Sequence, residues 1–326
     1  MIVLGVRGAQ WETFDGSTSP GTAGLSLASS LGALSMRSAA THTCPADAWL
    51  TIGTGTRAAH PQGCDAVVAV SADGEVAGFA EIASSNRAGP YAAAVGVLAD
   101  TLATAGICTA AAGPLASLAA AHSDGRVDLY RPDPAALTAQ DLLACGVTLV
   151  DVPPLPEGDA IVKHVLEVAR GDDTLGTAVR VLLVGTGDGT DRLGAAAFLG
   201  APFAPGLMTS PEVGRAPYLQ LVDVPATVLA VFHGDVVRPA SFIGGGAGVA
   251  DVSKAFPQRL QAVRWAATAT QTRAATFPVF VALLLGVQLV AWLGLWALMR
   301  RQQATASRGV RQKFSWASTF QRSDPI

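Results

Sequence analysis

Residues 277–299, FPVFVALLLGVQLVAWLGLWALM, hold no charged residue and one strongly polar one, Gln288. As a helix rising about 1.5 Å per residue the run covers roughly 35 Å, enough for a hydrocarbon core of about 30 Å. Pro278 is expected in the first turn, where a missing N–H costs little. Trp292 and Trp296 lie toward one end, at the depth that indole rings favour. So long an uncharged apolar run is rare in a water-soluble domain, so it is read as one membrane span. The span divides the chain into a domain over 1–250, a juxtamembrane segment 251–276, the span 277–299 and a basic tail 300–326.

Orientation follows from the flanking charge, because Lys and Arg near a span tend to stay in the cytoplasm. The tail carries Arg300, Arg301, Arg308, Arg311, Lys313 and Arg322 against one acid, Asp324, whereas the preceding flank carries Lys254, Arg259, Arg264 and Arg273. The expected topology is single-pass in the cell membrane, with the tail inside and the domain outside. The basic tail is also suited to anionic membrane lipid. A formal net charge of −3, with no basic patch interleaved with aromatics outside the tail, gives no reason to expect a nucleic-acid partner, and none is expected.

The four cysteines, Cys44, Cys64, Cys108 and Cys145, have no zinc-finger spacing. Three pairings are open, as are four reduced buried thiols. Sequence proximity favours Cys44 with Cys64 and Cys108 with Cys145, which agrees with an oxidising exterior. Met1 leads straight into an apolar strand-like run without an export signal, so the start is expected to lie upstream, with a cytoplasmic domain on a C-terminal anchor as the alternative. Few lysines beside abundant Ala, Gly and Arg fit a GC-rich bacterial genome.

Ahead of the span, apolar runs alternate with helical stretches, which predicts an α/β domain with a largely parallel sheet covered by helices. Strands are expected at 2–6, 66–70, 126–130, 147–152 and 179–184, and helices at 91–105, 114–121, 138–145, 160–170 and 223–232. Asp73-Gly74 and Asp124-Gly125 read as tight turns.

The segment with most chemical content is His42-Thr43-Cys44-Pro45, where Thr43 stands just before a helix opened by Pro45. A hydroxyl there faces unpaired N–H groups and the positive end of the helix dipole, a setting for an N-cap, a bound anion or an attacking alkoxide. Arg7 and Arg57 are candidates to complete an anion pocket with that helix end, or to pair with Asp47 or Asp151. His42 is a candidate base. Gly185-Thr186-Gly187-Asp188-Gly189-Thr190 lacks the third glycine of a dinucleotide fingerprint and the Gly-Lys of a P-loop, and reads as a turn. Asp188 and Asp191 on it are weak candidates for calcium.

Several of these segments, in order, resemble the alkaline phosphatase superfamily, in particular its nucleotide pyrophosphatase and sulfatase-like branches, over roughly residues 1–250. Residues 2–11 resemble the first strand and Asp-Gly turn. Thr43-Cys44-Pro45 with Leu50 and Gly53 resembles the nucleophile motif, Val147-Thr148-Leu149-Val150-Asp151 the strand delivering a metal-binding aspartate, and residues 218–229 the late Asp-Ile-Ala-Pro-Thr-Leu segment. The resemblance implies an alkaline-phosphatase-like sheet with helices on both faces, Thr43 as nucleophile, and two metal ions, usually zinc, held by Asp and His.

The departures from that pattern concern the metals. Arg7 stands in place of the first-strand aspartate, Val152-Pro153-Pro154 follows Asp151 where a Gly-His is usual, and no histidine follows Asp188 where the family has Ser-Asp-His-Gly. None of His42, His60, His122, His164 and His233 stands at a ligand-pair spacing with these aspartates. Asp151 and Asp188 are therefore vestigial metal candidates, and the expected function is a catalytically degenerate binding or scaffold module of the cell envelope with no cofactor. Envelope proteins and membrane lipid are its expected partners. Two alternatives stand: an active zinc- or other divalent-metal-dependent phosphodiesterase or sulfatase using Thr43, and a fragment or subunit of a larger multi-span membrane protein.

Overall fold

Alternation along the central strands decides the architecture. Val3 points to one side of its strand while Ile2, Leu4 and Val6 point to the other, and Leu182 and Val184 alternate with Val181 and Leu183 in the same way. All eight are essentially removed from solvent, so both faces of the sheet must be covered. The computed structural model describes residues 1–326 apart from Asp15, 172–178, Asp191, His233, Asp235 and 320–326, with side chains as far as Gln302. The basic side chains Arg308, Arg311, Lys313 and Arg322, and Asp324, therefore lie outside the described residues, as do Asp191 and His233.

The chain opens with β1 (Ile2–Arg7), α1 (Pro20–Leu27), β2 (Ser30–Ser35), α2 (Pro45–Thr54), α3 (Phe79–Ala88) and α4 (Val97–Thr104). It continues through β3 (Thr109–Ala112), α5 (Ser117–Ala120), β4 (Leu129–Arg131), α6 (Ala139–Leu143), β5 (Val147–Val152), α7 (Asp159–Gly171) and β6 (Val181–Thr186). Then come β7 (Leu193–Leu199), β8 (Leu207–Thr209), β9 (Tyr218–Gln220), α8 (Asp223–Ala230), β10 (Gly248–Ala250) and α9 (Phe256–Thr319).

The strands form one mixed sheet in the order β10-β8-β2-β7-β6-β1-β5-β3-β4, with β9 beside β2. From β6 to β4 all neighbours are parallel, and β7 runs against both β6 and β2. One face is covered by α2, α4, α5 and α8, through residues such as Trp49, Leu98, Leu118 and Val228. The other is covered by α1, α7 and the first turns of α9, through Leu25, Val162, Val165 and Val263. The chain divides into two units, Met1–Thr270 and Gln271–Ile326. The first unit extends past residue 250 because α9 opens with a docked stretch, in which Val263, Ala266 and Ala267 are buried and Arg259 Nη2 donates to Leu27 O at 3.0 Å.

Three of the expected strands are β1, β5 and β6. Residues 66–70 form no strand; Val70 makes a single bridge to Val76, and Val67 is 85% exposed, so no buried face drives pairing there. The expected helix 91–105 begins only at Val97, because Gly96 sits at φ +92° and interrupts the backbone. Gly74 and Gly125 both take positive φ in the tight turns anticipated for them.

In the second unit α9 carries an apolar stretch of mean hydropathy 2.2, none of it buried. Val279, Val287, Leu289, Val290 and Trp292 are each at least 61% exposed, so the helix is apolar all round. One helix is thus long and apolar enough to cross a membrane. Pro278 lies well inside this helix, which starts at Phe256, and not in its first turn.

Close approach of α2 to β1 depends on Gly5, where an added Cβ falls 2.2 Å from Trp49 Cζ2 and 2.9 Å from Thr186 Cγ2. At Gly24 in α1 it meets only Leu166 Cδ2 at 3.4 Å. Gly5→Ala is therefore expected to destabilise the protein by about 3 kcal/mol. Gly24→Ala is expected to be neutral or stabilising by up to about 1 kcal/mol. Denaturant unfolding of the two variants in detergent checks both, and equal effects contradict this packing.

Candidate functional site

In a sheet buried on both faces, polar side chains that need solvent gather where the strands end. β1, β5 and β6 are adjacent and parallel, and β2 runs in the same direction because β7 opposes both it and β6. The carboxyl ends of these strands bring together Arg7, Asp151, Asp188 and the chain entering α2. A cleft of about 510 Å³ opens there, lined by Arg7, Gly8, Thr13, Pro45, Cys64, Leu155 and Asp188 among others.

Arg7 and Asp151 meet because β1 and β5 pair in register, with Gly5 opposite Asp151. The guanidinium grips both carboxylate oxygens: Nε donates to Oδ1 at 3.2 Å and Nη2 to Oδ2. The Asp151 side chain is 1% exposed and that of Arg7 38%. This hydrogen bond, helped by Coulombic attraction, outweighs burial and raises the Arg7 pKa further above its ordinary value, so the charge is fixed.

Asp188 is occupied as well. Its Oδ1 accepts from Thr190 N at 2.9 Å and Thr190 Oγ1 at 2.6 Å, and its Oδ2 accepts from Gln10 Nε2 at 3.2 Å. Gln10 Oε1 in turn accepts from Arg192 Nη1 at 3.4 Å.

Thr43 stands at the mouth of α2 but does not face the cleft. It is 4% exposed; its Oγ1 accepts from Ser38 N at 3.0 Å and donates to Ser38 Oγ at 3.1 Å. The turn after β6 presses on its carbonyl, which accepts from Gly189 N at 3.0 Å. A Cβ at Gly187 would fall 2.0 Å from that oxygen. The N-terminus of α2 is closed by its own residues: the Asp47 carboxylate, fully buried, accepts from Cys44 N at 3.0 Å and His60 N at 2.7 Å. Burial raises the Asp47 pKa, with those two N–H groups working against the rise. The N–H groups and dipole considered for an anion thus meet a built-in carboxylate first.

Arg57 does not join Arg7. Its Nη1 donates to Tyr91 Oη at 3.3 Å and its guanidinium lies 5.6 Å from the centre of that ring. The two arginines expected to share an anion pocket are thereby separated in role. His60 supports Asp47 through its backbone N–H, and its ring Nδ1 accepts from Gln62 N at 3.2 Å. His122 binds Asp100 and Asp128, away from the cleft. Cys44 pairs with Cys64 and Cys108 with Cys145, each with Cα atoms 5.1 Å apart, so two disulfides tie the first unit. Cys64 brings the first of them to the wall of the cleft. Ser38, Gln10 and Thr190 were not foreseen as site residues; only their placement in strand-end turns hints at them.

These residues do not fit a two-metal centre. Asp151 gives both oxygens to a guanidinium, Asp188 already accepts from Thr190 and Gln10, and among the described residues no group of three or more His, Cys, Asp or Glu side chains is placed to hold a metal ion.

No protein-family model matches the sequence, and no curated protein matches it. Among solved structures, the human ectonucleotide pyrophosphatase/phosphodiesterase 5 is 12% identical with a TM-score of 0.36. The murine protein in complex with AMP is 13% identical with a TM-score of 0.33. In both, 57% of this chain matches 56% of the other, so the chain spans just over half the length of those proteins. An alkaline phosphatase from the Antarctic bacterium TAB5 is 10% identical with a TM-score of 0.34, over 67% of this chain and 83% of that one. At such identities and scores nothing about activity, substrate or metal passes from those proteins to this one.

Removing one partner of the Arg7–Asp151 pair leaves the other uncompensated. Arg7→Met is expected to cost about 2–3 kcal/mol, below the range for a wholly buried pair because Arg7 reaches solvent. The double variant Arg7→Met/Asp151→Leu is expected to recover most of that loss. A double-mutant cycle by denaturant unfolding checks the coupling, and additive losses contradict it.

Proposed function

We propose that the protein is a membrane-anchored binding or scaffold module of the cell envelope, built on an alkaline-phosphatase-type framework in which a fixed ion pair replaces the hydrolytic metal centre. The observation that carries this reading is the Arg7 guanidinium seated on both oxygens of Asp151. A hydrolase of that type needs dications at this point to ionise its nucleophile and neutralise the transferring group. A guanidinium supplies one charge, lowers no water or hydroxyl pKa by coordination, and blocks the carboxylate a metal would use. The Thr43 hydroxyl, enclosed with Ser38, supports the same reading.

Location is the second part of the proposal. The exposed apolar stretch of α9 is the anchor, and the first unit, with its two disulfides, lies on the oxidising side of the membrane. The basic tail lies in the cytoplasm, where anionic lipid is a ready partner. Envelope proteins are the expected partners of the outer unit.

Metal analysis of the purified full chain, combined with turnover of a chromogenic phosphodiester and a sulfate ester, tests the first part. The expected result is no stoichiometric zinc and turnover at the buffer blank, unchanged in Thr43→Ala. About two equivalents of tightly held zinc, with activity that Thr43→Ala abolishes, defeat the proposal. For the second part, external protease on intact cells is expected to degrade the first unit and spare a C-terminal tag. Protection of the first unit reverses the topology.

A further inference from the structure

His122 has both ring nitrogens against carboxylates. Nδ1 lies 2.9 Å from Asp100 Oδ1 and Nε2 lies 3.2 Å from Asp128 Oδ1. Asp100 belongs to α4 and also accepts from Ser123 N at 3.3 Å. Asp128, just before the edge strand β4, accepts with its other oxygen from Thr109 N at 2.8 Å, at the start of β3. His122 itself sits on a tight turn, with its N–H donating to Arg126 O and its carbonyl accepting from Gly125 N. Three pieces of backbone thus converge on one imidazole.

A neutral imidazole has one donor and one acceptor nitrogen, whereas an ionised carboxylate only accepts. Both contacts are satisfied together only by the imidazolium. Deprotonation leaves a ring lone pair facing a carboxylate oxygen, so one of the two links must open. Among the described residues the neighbouring cations are engaged elsewhere: α5 and β3 carry no ionisable side chain, Asp100 is the single one on α4, the Arg126 guanidinium turns to Asp73 at 2.8 Å and Glu75 at 3.9 Å, and on β4, beside Tyr130, Arg131 pairs with Asp141 at 2.7 Å. Asp124 accepts from Arg126 N within the same turn.

We propose that His122 is a pH-operated clasp, which when protonated fastens α4 to the β3–β4 edge of the sheet and when neutral releases one side of it. Burial opposes the charge and is the largest single influence, but the hydrogen bonds to Asp100 and Asp128 and their Coulombic attraction together outweigh it and raise the pKa above the ordinary value. Because the folded-state pKa is raised, the stabilisation is complete below the unfolded-state value of about 6.5 and is lost as pH rises through the folded-state value. Every pH unit between the two values corresponds to about a tenfold change in the opening equilibrium. The clasp is independent of the ion pair at the cleft, so it stands or falls apart from the proposed function.

The test is a histidine NMR titration of the full chain in detergent, with the His122 signal assigned by its loss in His122→Gln, together with amide hydrogen exchange over α4 and β4. The expected result is a His122 pKa above 6.5 and stronger protection in the wild type than in His122→Gln at pH 5.5, with the difference shrinking toward none at pH 8.5. Comparing the two proteins at each pH removes the intrinsic pH dependence of exchange. If His122→Gln does not fold, Asp100→Asn and Asp128→Asn are each expected to lower the His122 pKa. A pKa at or below 6.5, or a protection ratio equal at both pH values, overturns the clasp.

Discussion

Burial of the parallel strands on both faces is the constraint from which the other features follow. Val3, Leu149, Leu182 and Val184 fill one side, and Ile2, Leu4, Val150 and Leu183 fill the other, so no side chain along the middle of β1, β5 or β6 reaches water. Helices must then pack close on each face, which is why Gly5 stands under Trp49. Charged groups are confined to the strand ends. That confinement places Arg7 and Asp151 side by side, and their shared register turns a sequence separation of 144 into a hydrogen-bonded pair.

The balance of forces at that pair favours a filled site. Burying the Asp151 carboxylate alone costs several kcal/mol, and a planar guanidinium that meets both oxygens while keeping its own outer edge in solvent offsets this without full desolvation of a second charge. A dication at the same place must first displace Arg7 and then find further anionic or imidazole ligands. Asp188, a carboxylate on the cleft wall, is already held by Thr190 and Gln10. The disulfide from Cys44 to Cys64 and the Asp47 cap then fix the entry to α2 around a buried Thr43. The charged groups on the cleft wall, Arg7 and Asp188, thus already have partners within the protein.

Where the sequence was legible, side-chain shape and period agreed with tertiary demand. β1, β5 and β6 are rich in Val, Leu and Ile and read directly as buried strands. β2, SLGALS, and β7, LGAAAFL, are made largely of Ser, Gly and Ala, whose weak strand preference hides them. They become strands because the sheet supplies partners on either side. At the site, the sequence left Arg7 open to pairing with Asp47 or Asp151 and strand register selects Asp151, whereas the capture of Arg57 by Tyr91 depends on the path of a loop that no local pattern encodes. The polar support from Ser38, Gln10 and Thr190 was equally hidden, since Ser, Gln and Thr in turns are common and their partners lie far away in sequence.

The last helix changes its pattern of side chains along one regular backbone. In its opening turns Arg259, Val263, Ala266 and Ala267 are buried, while Trp265 is 63% exposed and Gln258 and Gln261 line a surface groove, so a single stripe is apolar and an amphipathic period is obvious. From Phe277 onward that period vanishes, and Phe, Val, Leu and Trp occupy every side. A stripe is what a helix needs to dock on a protein surface, because the rest of it must face water. A fully apolar circumference has no wet side to present, and is stable only where the surrounding medium is itself apolar. Arg300, stacked 4.0 Å from the centre of the Trp296 ring, marks where charge returns. The switch from stripe to full circumference and back to charge is what makes one stretch of α9 long and apolar enough to cross a membrane.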